Sequence, residues 1–281
     1  MLKNTVKLAC GPWSAEILPE KGANTVRLAR DGRDILRPLE DPAQLEENPF
    51  LRGTPILLPA NRTDGAVFSF DGRRYTLPLN EPELGNNLHG ILWSLPFTVL
   101  SATKTAASFR LDNTGAYYPF PFRLTVSVRL DEEGYHSAFE VENSGETDMP
   151  LTFALHTTFL QNGSIRVPLA EAHRFDRRML PVCFDPLDET EKKIVSGFDP
   201  RGTALVGYYR SCGHTARIGD FLYTVSENFD YWVLFNADGN QDYVCVEPQA
   251  GRVNGLNDGG FFRLAPGRTE RFETSITRIA L

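Results

Sequence analysis

Phe122-Arg-Leu-Thr-Val-Ser-Val-Arg-Leu130 alternates without a break. Phe122, Leu124, Val126, Val128 and Leu130 fall on one face, and Arg123, Thr125, Ser127 and Arg129 on the other. Successive strand side chains point to opposite faces, so this two-residue period is that of a β-strand with one buried side. Asp131-Glu-Glu-Gly134 turns the chain, Ala138-Phe-Glu-Val-Glu142 pairs back as the next strand, and Asn143-Ser-Gly145 turns it again. Upstream, Val26–Arg30 and Arg33–Leu36 flank Asp31-Gly32, while Ala66–Phe70 and Arg73–Leu77 flank Asp71-Gly72. An Asp-Gly pair between β-forming runs is a tight hairpin turn.

The rest follows the same grammar. Residues 38–55 carry four prolines and read as a long loop crossing one end of the fold, with a helical turn at Ala43–Glu47. Ile56-Leu-Leu58 is a short apolar run that ends at Pro59. Residues 161–220 are proline-interrupted and charged, and read as loops with short strands. Phe221–Phe235 returns to strand character, and Arg263–Ile279 closes the chain around a Pro266-Gly267 turn. No helix-period segment exceeds about two turns. The expectation is one all-β domain over residues 1–281, built from stacked antiparallel sheets.

Hydrophobic content of 41% and charged content of 23% are ordinary for a globular chain. The net charge of −7 argues against nucleic acid and anionic membrane as partners. Cys10, Cys183, Cys212 and Cys245 are scattered without framework spacing, as expected of reduced thiols in a cytoplasmic protein. No 18-residue apolar run and no signal-peptide core is present. Phosphate-loop, dinucleotide, zinc-protease and nucleophile-elbow motifs are absent, and the five histidines show no metal-ligand spacing. Acid–base chemistry by histidine and carboxylate remains, with neither metal nor cofactor expected.

Two strands carry candidates for it. In Asp242-Tyr-Val-Cys-Val-Glu-Pro-Gln249, Tyr243, Cys245 and Glu247 share a face, and Pro248 is expected to stop the ladder there, since it has no N–H to donate. In Pro150–Leu160, Leu151, Phe153, Leu155 and Phe159 share one face with Thr157. His156 stands on the other among Thr152, Ala154 and Thr158. A large polar group on a row of small residues is either a ligand-facing side chain or a core histidine bonded to a neighbouring threonine.

Asn61-Arg62, Asn87-Leu-His89-Gly90, Pro150-Leu-Thr-Phe-Ala-Leu-His156 and Val244-Cys-Val-Glu-Pro-Gln249 together resemble the aldose 1-epimerases, the galactose mutarotase family. The order and spacing hold as far as Leu264-Ala-Pro-Gly267, nearly the whole chain. The resemblance implies a β-supersandwich of the galactose mutarotase type and cofactor-independent interconversion of the anomers of a free aldose. It makes Glu247 the general base and His156 the general acid, set on opposite sides of the sugar ring. It makes Arg62, His89 and Asn61 the residues that hold the sugar, in a monomer or homodimer. Where the family carries an aspartate before the last third, Ala204–Tyr209 has none, and Asp199 is the nearest acid. That departure keeps open a sugar-binding protein without turnover. A hexose-6-phosphate epimerase would need cations at the cleft, for which Arg73, Arg74, Arg123 and Arg252 are the candidates. Trp93 and Trp232 are expected in the core.

Overall fold

The computed structural model describes residues 4–279. Two large antiparallel sheets dominate it. The first runs in the spatial order Thr98–Ala102, Ala106–Asn113, Phe122–Leu130, Gly134–Asn143, Thr269–Arg278, Phe221–Val225, Thr215–Ile218, Ile165–Arg166. The second runs Pro181–Pro186, Leu169–Phe175, Val206–Ser211, Tyr231–Phe235, Tyr243–Ala250, Phe153–Leu155, Ile56–Leu57, with Thr158–Leu160 also paired to Tyr243–Ala250. This is the expected all-β architecture of large antiparallel sheets. A smaller four-stranded sheet between Val6 and Asp34 packs against the core.

The alternating strand behaves as its pattern dictates. Phe122, Leu124, Val126, Val128 and Leu130 are all buried, and the intervening residues are not. Aromatic rings from the two large sheets meet between them: Phe153 stacks on Phe272 at 4.5 Å, and Phe159 meets Tyr223 edge-on at 5.3 Å. Burying each such side chain contributes about 1.5–3 kcal/mol, which holds the sheets face to face. Trp232 belongs to this core, as expected, whereas Trp93 is half-buried and lies edge-on to Phe50.

Both hairpins form. Asp31 and Gly32 have φ of 51° and 72°, and Asp71 and Gly72 have 48° and 74°, the left-handed pairs of a type I′ turn. The helical turn Ala43–Glu47 is present. Residues 161–220 are more regular than their composition suggests. They supply strands to both sheets and a helix, Glu189–Ser196. Asp188 caps that helix, its side chain accepting from the Glu191 N–H at 2.8 Å while Glu191 accepts from the Asp188 N–H at 2.7 Å. The Asp-x-x-Glu signal of a capping box was in the sequence, under the prolines.

Two further expectations are corrected. Pro248 does not end its strand, which continues to Ala250 with Pro248 opposite Trp232. Pro150–Leu160 is not one strand but three short ones, Met149–Leu151, Phe153–Leu155 and Thr158–Leu160. The second of these breaks, at His156–Thr157, also accommodates Pro248. The Val246 N–H donates to Thr157, and Pro248, two residues on, faces the same neighbour. There the ladder is already interrupted at His156–Thr157, so the missing N–H leaves no bond unmade.

Candidate active site

The second sheet keeps one face in the core and turns the other toward a cavity of about 240 Å³. Val244 and Val246 point inward, so Cys245, Glu247 and Gln249 lie on the opposite face. Cross-strand register sets the floor of the cavity. Tyr208, Val233 and Glu247 form one row, and Val206, Phe235 and Cys245 form the next. His156 sits beside Glu247, at the break in the neighbouring strand, with its N–H bonded to the Pro55 carbonyl.

The 38–55 loop closes one side. The Thr158 N–H donates to the Gly53 carbonyl, and the Thr158 hydroxyl donates to the Phe50 carbonyl at 3.2 Å. Phe50 is thereby held against the site. Its ring stacks on His156 at 5.7 Å and meets His89 edge-on at 4.7 Å. His89 and Asn61 both adopt left-handed backbone, with φ of 61° and 56°, and the His89 N–H donates to the Asn61 carbonyl. Gly90 follows with φ of 57°. A Cβ there would stand 2.1 Å from the Leu58 carbonyl oxygen, so only glycine lets the two segments cross.

The structure brings all five sequence-derived residues, Glu247, His156, Arg62, His89 and Asn61, to the wall of this cavity. Glu247 Oε1 and His156 Nε2 are 3.4 Å apart. They do not flank a ring from opposite sides as expected. They stand side by side, because adjacent strands of one sheet present them on one face.

Arg62 reaches the cavity through a network that includes two residues the sequence reading passed over. Its Nε and Nη2 donate to the Glu81 carboxylate, and its Nη1 donates to the Tyr208 hydroxyl at 2.7 Å. Asn86 donates to the same carboxylate. Those bonds use three of the five guanidinium N–H groups and leave two uncommitted. Asp64, two residues on from Arg62, binds Arg178. Nothing local marks Glu81 or Tyr208 in the sequence, since a glutamate in a turn and a tyrosine in a strand are commonplace.

Burial sets the electrostatics. Glu247 is pushed well above the usual carboxyl range by desolvation, opposed in part by the Arg62 charge. His156 is pulled down to about 4 by desolvation. His89 is lowered as well, by desolvation and then by the nearby His156 and Arg62 charges, so it stays a neutral imidazole at physiological pH. Asn61 donates to Gln249 at 3.1 Å. Its Oδ1, and Nδ1 of both His89 and His156, are buried without a protein partner.

Other candidates lie elsewhere. Asp199 does not line the cavity, and its carboxylate is taken by Arg201. Arg123 lies on the first sheet between Asp112 and Glu142, Arg252 binds Asp258, and Arg73 and Arg74 are exposed on the strand Arg73–Thr76. None of the four lines the cavity. A larger depression of about 680 Å³ lies on the outer face of the first sheet. Its ionisable residues, Arg129, His136, Arg271 and Glu273, are exposed or half-buried, so it lacks the desolvated acid–base pair that marks the smaller cavity.

The sequence pattern of the family described as "Aldose 1-epimerase" matches residues 14–183. The chain belongs to the aldose 1-epimerase family. An uncharacterized protein of Escherichia coli K12, YihR, is 25% identical over 199 residues, 66% of this chain and 62% of YihR. The chain thus spans about three fifths of that curated relative. Among solved structures, a galactose mutarotase-like protein from Clostridium acetobutylicum superposes with a TM-score of 0.91 at 21% identity, covering 98% of this chain and 95% of that one. The GalM/aldose epimerase homologue from C. elegans superposes with a TM-score of 0.83 at 15% identity, over 99% of each chain. At such identities the superpositions establish the fold. Within this aldose 1-epimerase fold, the place where the family aspartate was sought is taken by Val206, Gly207 and Tyr208, which line the cavity without a carboxylate.

Proposed function

We propose that the protein is an aldose 1-epimerase acting on a free monosaccharide, with Glu247 and His156 as the acid–base pair. The observation that carries this reading is the 3.4 Å approach of Glu247 Oε1 and His156 Nε2, both buried in the wall of a cavity of about 240 Å³. That volume lies below the roughly 300–1,000 Å³ of pockets that hold drug-sized ligands, and suits a single sugar.

The side-by-side arrangement suits the reaction. The two oxygens that exchange protons, the anomeric hydroxyl and the ring oxygen, are both bonded to C1, so the groups that serve them must be neighbours. The Glu247 carboxylate takes the proton of the C1 hydroxyl. The C1–ring-oxygen bond breaks as the His156 imidazolium protonates the ring oxygen, and a carbonyl forms at C1. Rotation about C1–C2 turns the other carbonyl face to the hydroxyl, and the same two protons return as the ring closes.

The pair holds one proton throughout, as carboxylate and imidazolium or as carboxylic acid and imidazole. Burial raises the carboxyl and lowers the imidazole, so relative to water it shifts the shared proton toward Glu247 and favours the carboxylic acid–imidazole form. Each positioned group contributes roughly 10²–10⁴-fold. The two remaining Arg62 N–H groups, Asn61 Oδ1 and the His89 ring supply polar contacts of the kind that sugar hydroxyls satisfy. The absence of a free arginine from the lining favours an unphosphorylated sugar. Four free cysteines fit a reducing compartment, and no helix among the described residues is long and apolar enough to cross a membrane.

NMR saturation transfer between the anomers of a panel of aldoses tests the reading. The expected outcome is accelerated exchange for at least one free sugar. Binding by calorimetry without accelerated exchange would instead identify a sugar-binding protein that lacks turnover.

A further inference from the structure

Beneath the acid–base pair lies a thiol that the proposed chemistry does not use. Cys245 shares a strand face with Glu247, and its thiol makes a weak contact of 3.4 Å with the Thr158 hydroxyl. One ligand atom each from His156, Cys245 and Glu247 falls within 4.8 Å of the others, and the residues are 7%, 0% and 2% exposed. We propose that these three side chains form a binding site for a thiophilic divalent cation such as Zn²⁺ or Cd²⁺, and that the bound cation blocks the acid–base pair.

Donor chemistry and geometry both favour this cation class. Thiolate and imidazole suit soft and borderline ions and disfavour Mg²⁺ and Ca²⁺, which take oxygen ligands. With zinc–nitrogen and zinc–oxygen bonds near 2.0–2.1 Å and zinc–sulfur near 2.3 Å, tetrahedral donors stand roughly 3.3–3.6 Å apart. The 3.4 Å between Glu247 and His156 already meets that spacing. The thiol needs to close by roughly an ångström, within the reach of a χ1 adjustment.

Charge balance also fits. Entry of M²⁺ displaces the Cys245 thiol proton and any carboxyl proton of Glu247 to bulk water. The cation, thiolate, carboxylate and neutral imidazole then sum to zero, the net charge a desolvated site tolerates. The neighbouring Arg62 charge is matched by its bidentate partner Glu81. A buried cysteine is more often a small apolar filler, but here the thiol lies within coordination reach of both a carboxyl and an imidazole.

The test uses the full chain carrying Cys183→Ser and Cys212→Ser, which removes the two exposed thiols. Calorimetry with Zn²⁺ is expected to show one site per chain, Mg²⁺ to show none, and Cd²⁺ to produce a thiolate-to-metal charge-transfer band. Adding Cys245→Ala should abolish the band and weaken Zn²⁺ binding by about tenfold or more. Cys10 is present in both proteins and cannot account for the difference. Cys245→Ser, closer to the native volume, repeats the comparison if the alanine variant fails to fold. Lack of a cadmium–thiolate band in the parent, or equal Zn²⁺ affinity with and without Cys245, overturns the proposal. Binding is read independently of turnover. Zinc inhibition of anomer exchange, expected in the parent and shifted to about tenfold or more higher zinc in Cys245→Ala, rests on the epimerase reading.

Discussion

Replacing Glu247 with glutamine removes one ionisable oxygen and leaves volume and shape nearly unchanged. Glutamine can no longer accept the C1 proton, so His156 has no partner with which to exchange the single proton of the pair. The anomer exchange rate should fall by roughly 10²–10⁴-fold, about 3–5 kcal/mol of barrier. Stability should move the other way. Desolvation places the folded-state pKa of Glu247 above its unfolded value. The native protein therefore retains a proton that the unfolded chain has released, and stability falls as pH rises from the ordinary carboxyl range through the folded value. Glutamine eliminates that loss. For His156 the folded value, about 4, lies below the ordinary 6.5. Unfolding then takes up a proton, so stability is lost as pH falls from about 6.5 toward 4, and Glu247→Gln leaves this acid arm in place. NMR saturation transfer reads the rate, and thermal melts across pH read the stability. A variant that exchanges anomers within tenfold of the parent rate, or that keeps the parent's loss of stability toward neutral pH, would refute the assignment of Glu247 as a buried base.

Arg62→Met strands a buried glutamate and should destabilise the protein by about 3–5 kcal/mol, measured by urea denaturation, whereas adding Glu81→Gln should restore most of the loss while sugar affinity stays weak. Tyr208→Phe removes one donor–acceptor contact to Arg62 and should cost about 1 kcal/mol, seen as a several-fold rise in KM with kcat little changed. Phe153→Ala opens the stack against Phe272 and should cost about 3–5 kcal/mol in denaturant without altering the pH dependence of the rate. Asp188→Ala removes the cap of a helix that does not line the cavity, and should lower stability by about 1 kcal/mol while leaving anomer exchange intact.

Local rules were enough for much of the chain. The alternation in Phe122–Leu130, the two Asp-Gly hairpins and the inward set Val244 and Val246 follow from side-chain direction and backbone sterics, which act over a few residues. The same alternation placed Glu247 and His156 on the outer faces of their strands, and the motif resemblance singled out Arg62, His89 and Asn61. Misreadings arose where a neighbour distant in sequence decided the outcome. Pro248 is tolerated inside a strand because the facing ladder breaks at His156–Thr157, roughly ninety residues away. The 161–220 segment forms more regular structure than loops with short strands because both large sheets pair with it.

What only the tertiary structure decided is which groups become neighbours once water is excluded. Glu81 and Tyr208 acquire their roles by converging on one guanidinium. Cys245 comes within ligand distance of His156 although the histidine and cysteine spacings carry no metal signature. Sequence determines which side chains a strand shows and to which side. Cross-strand register and burial, which depend on the whole chain, determine whether a carboxyl and an imidazole sit 3.4 Å apart in a desolvated wall, where burial shifts their proton affinities in opposite directions.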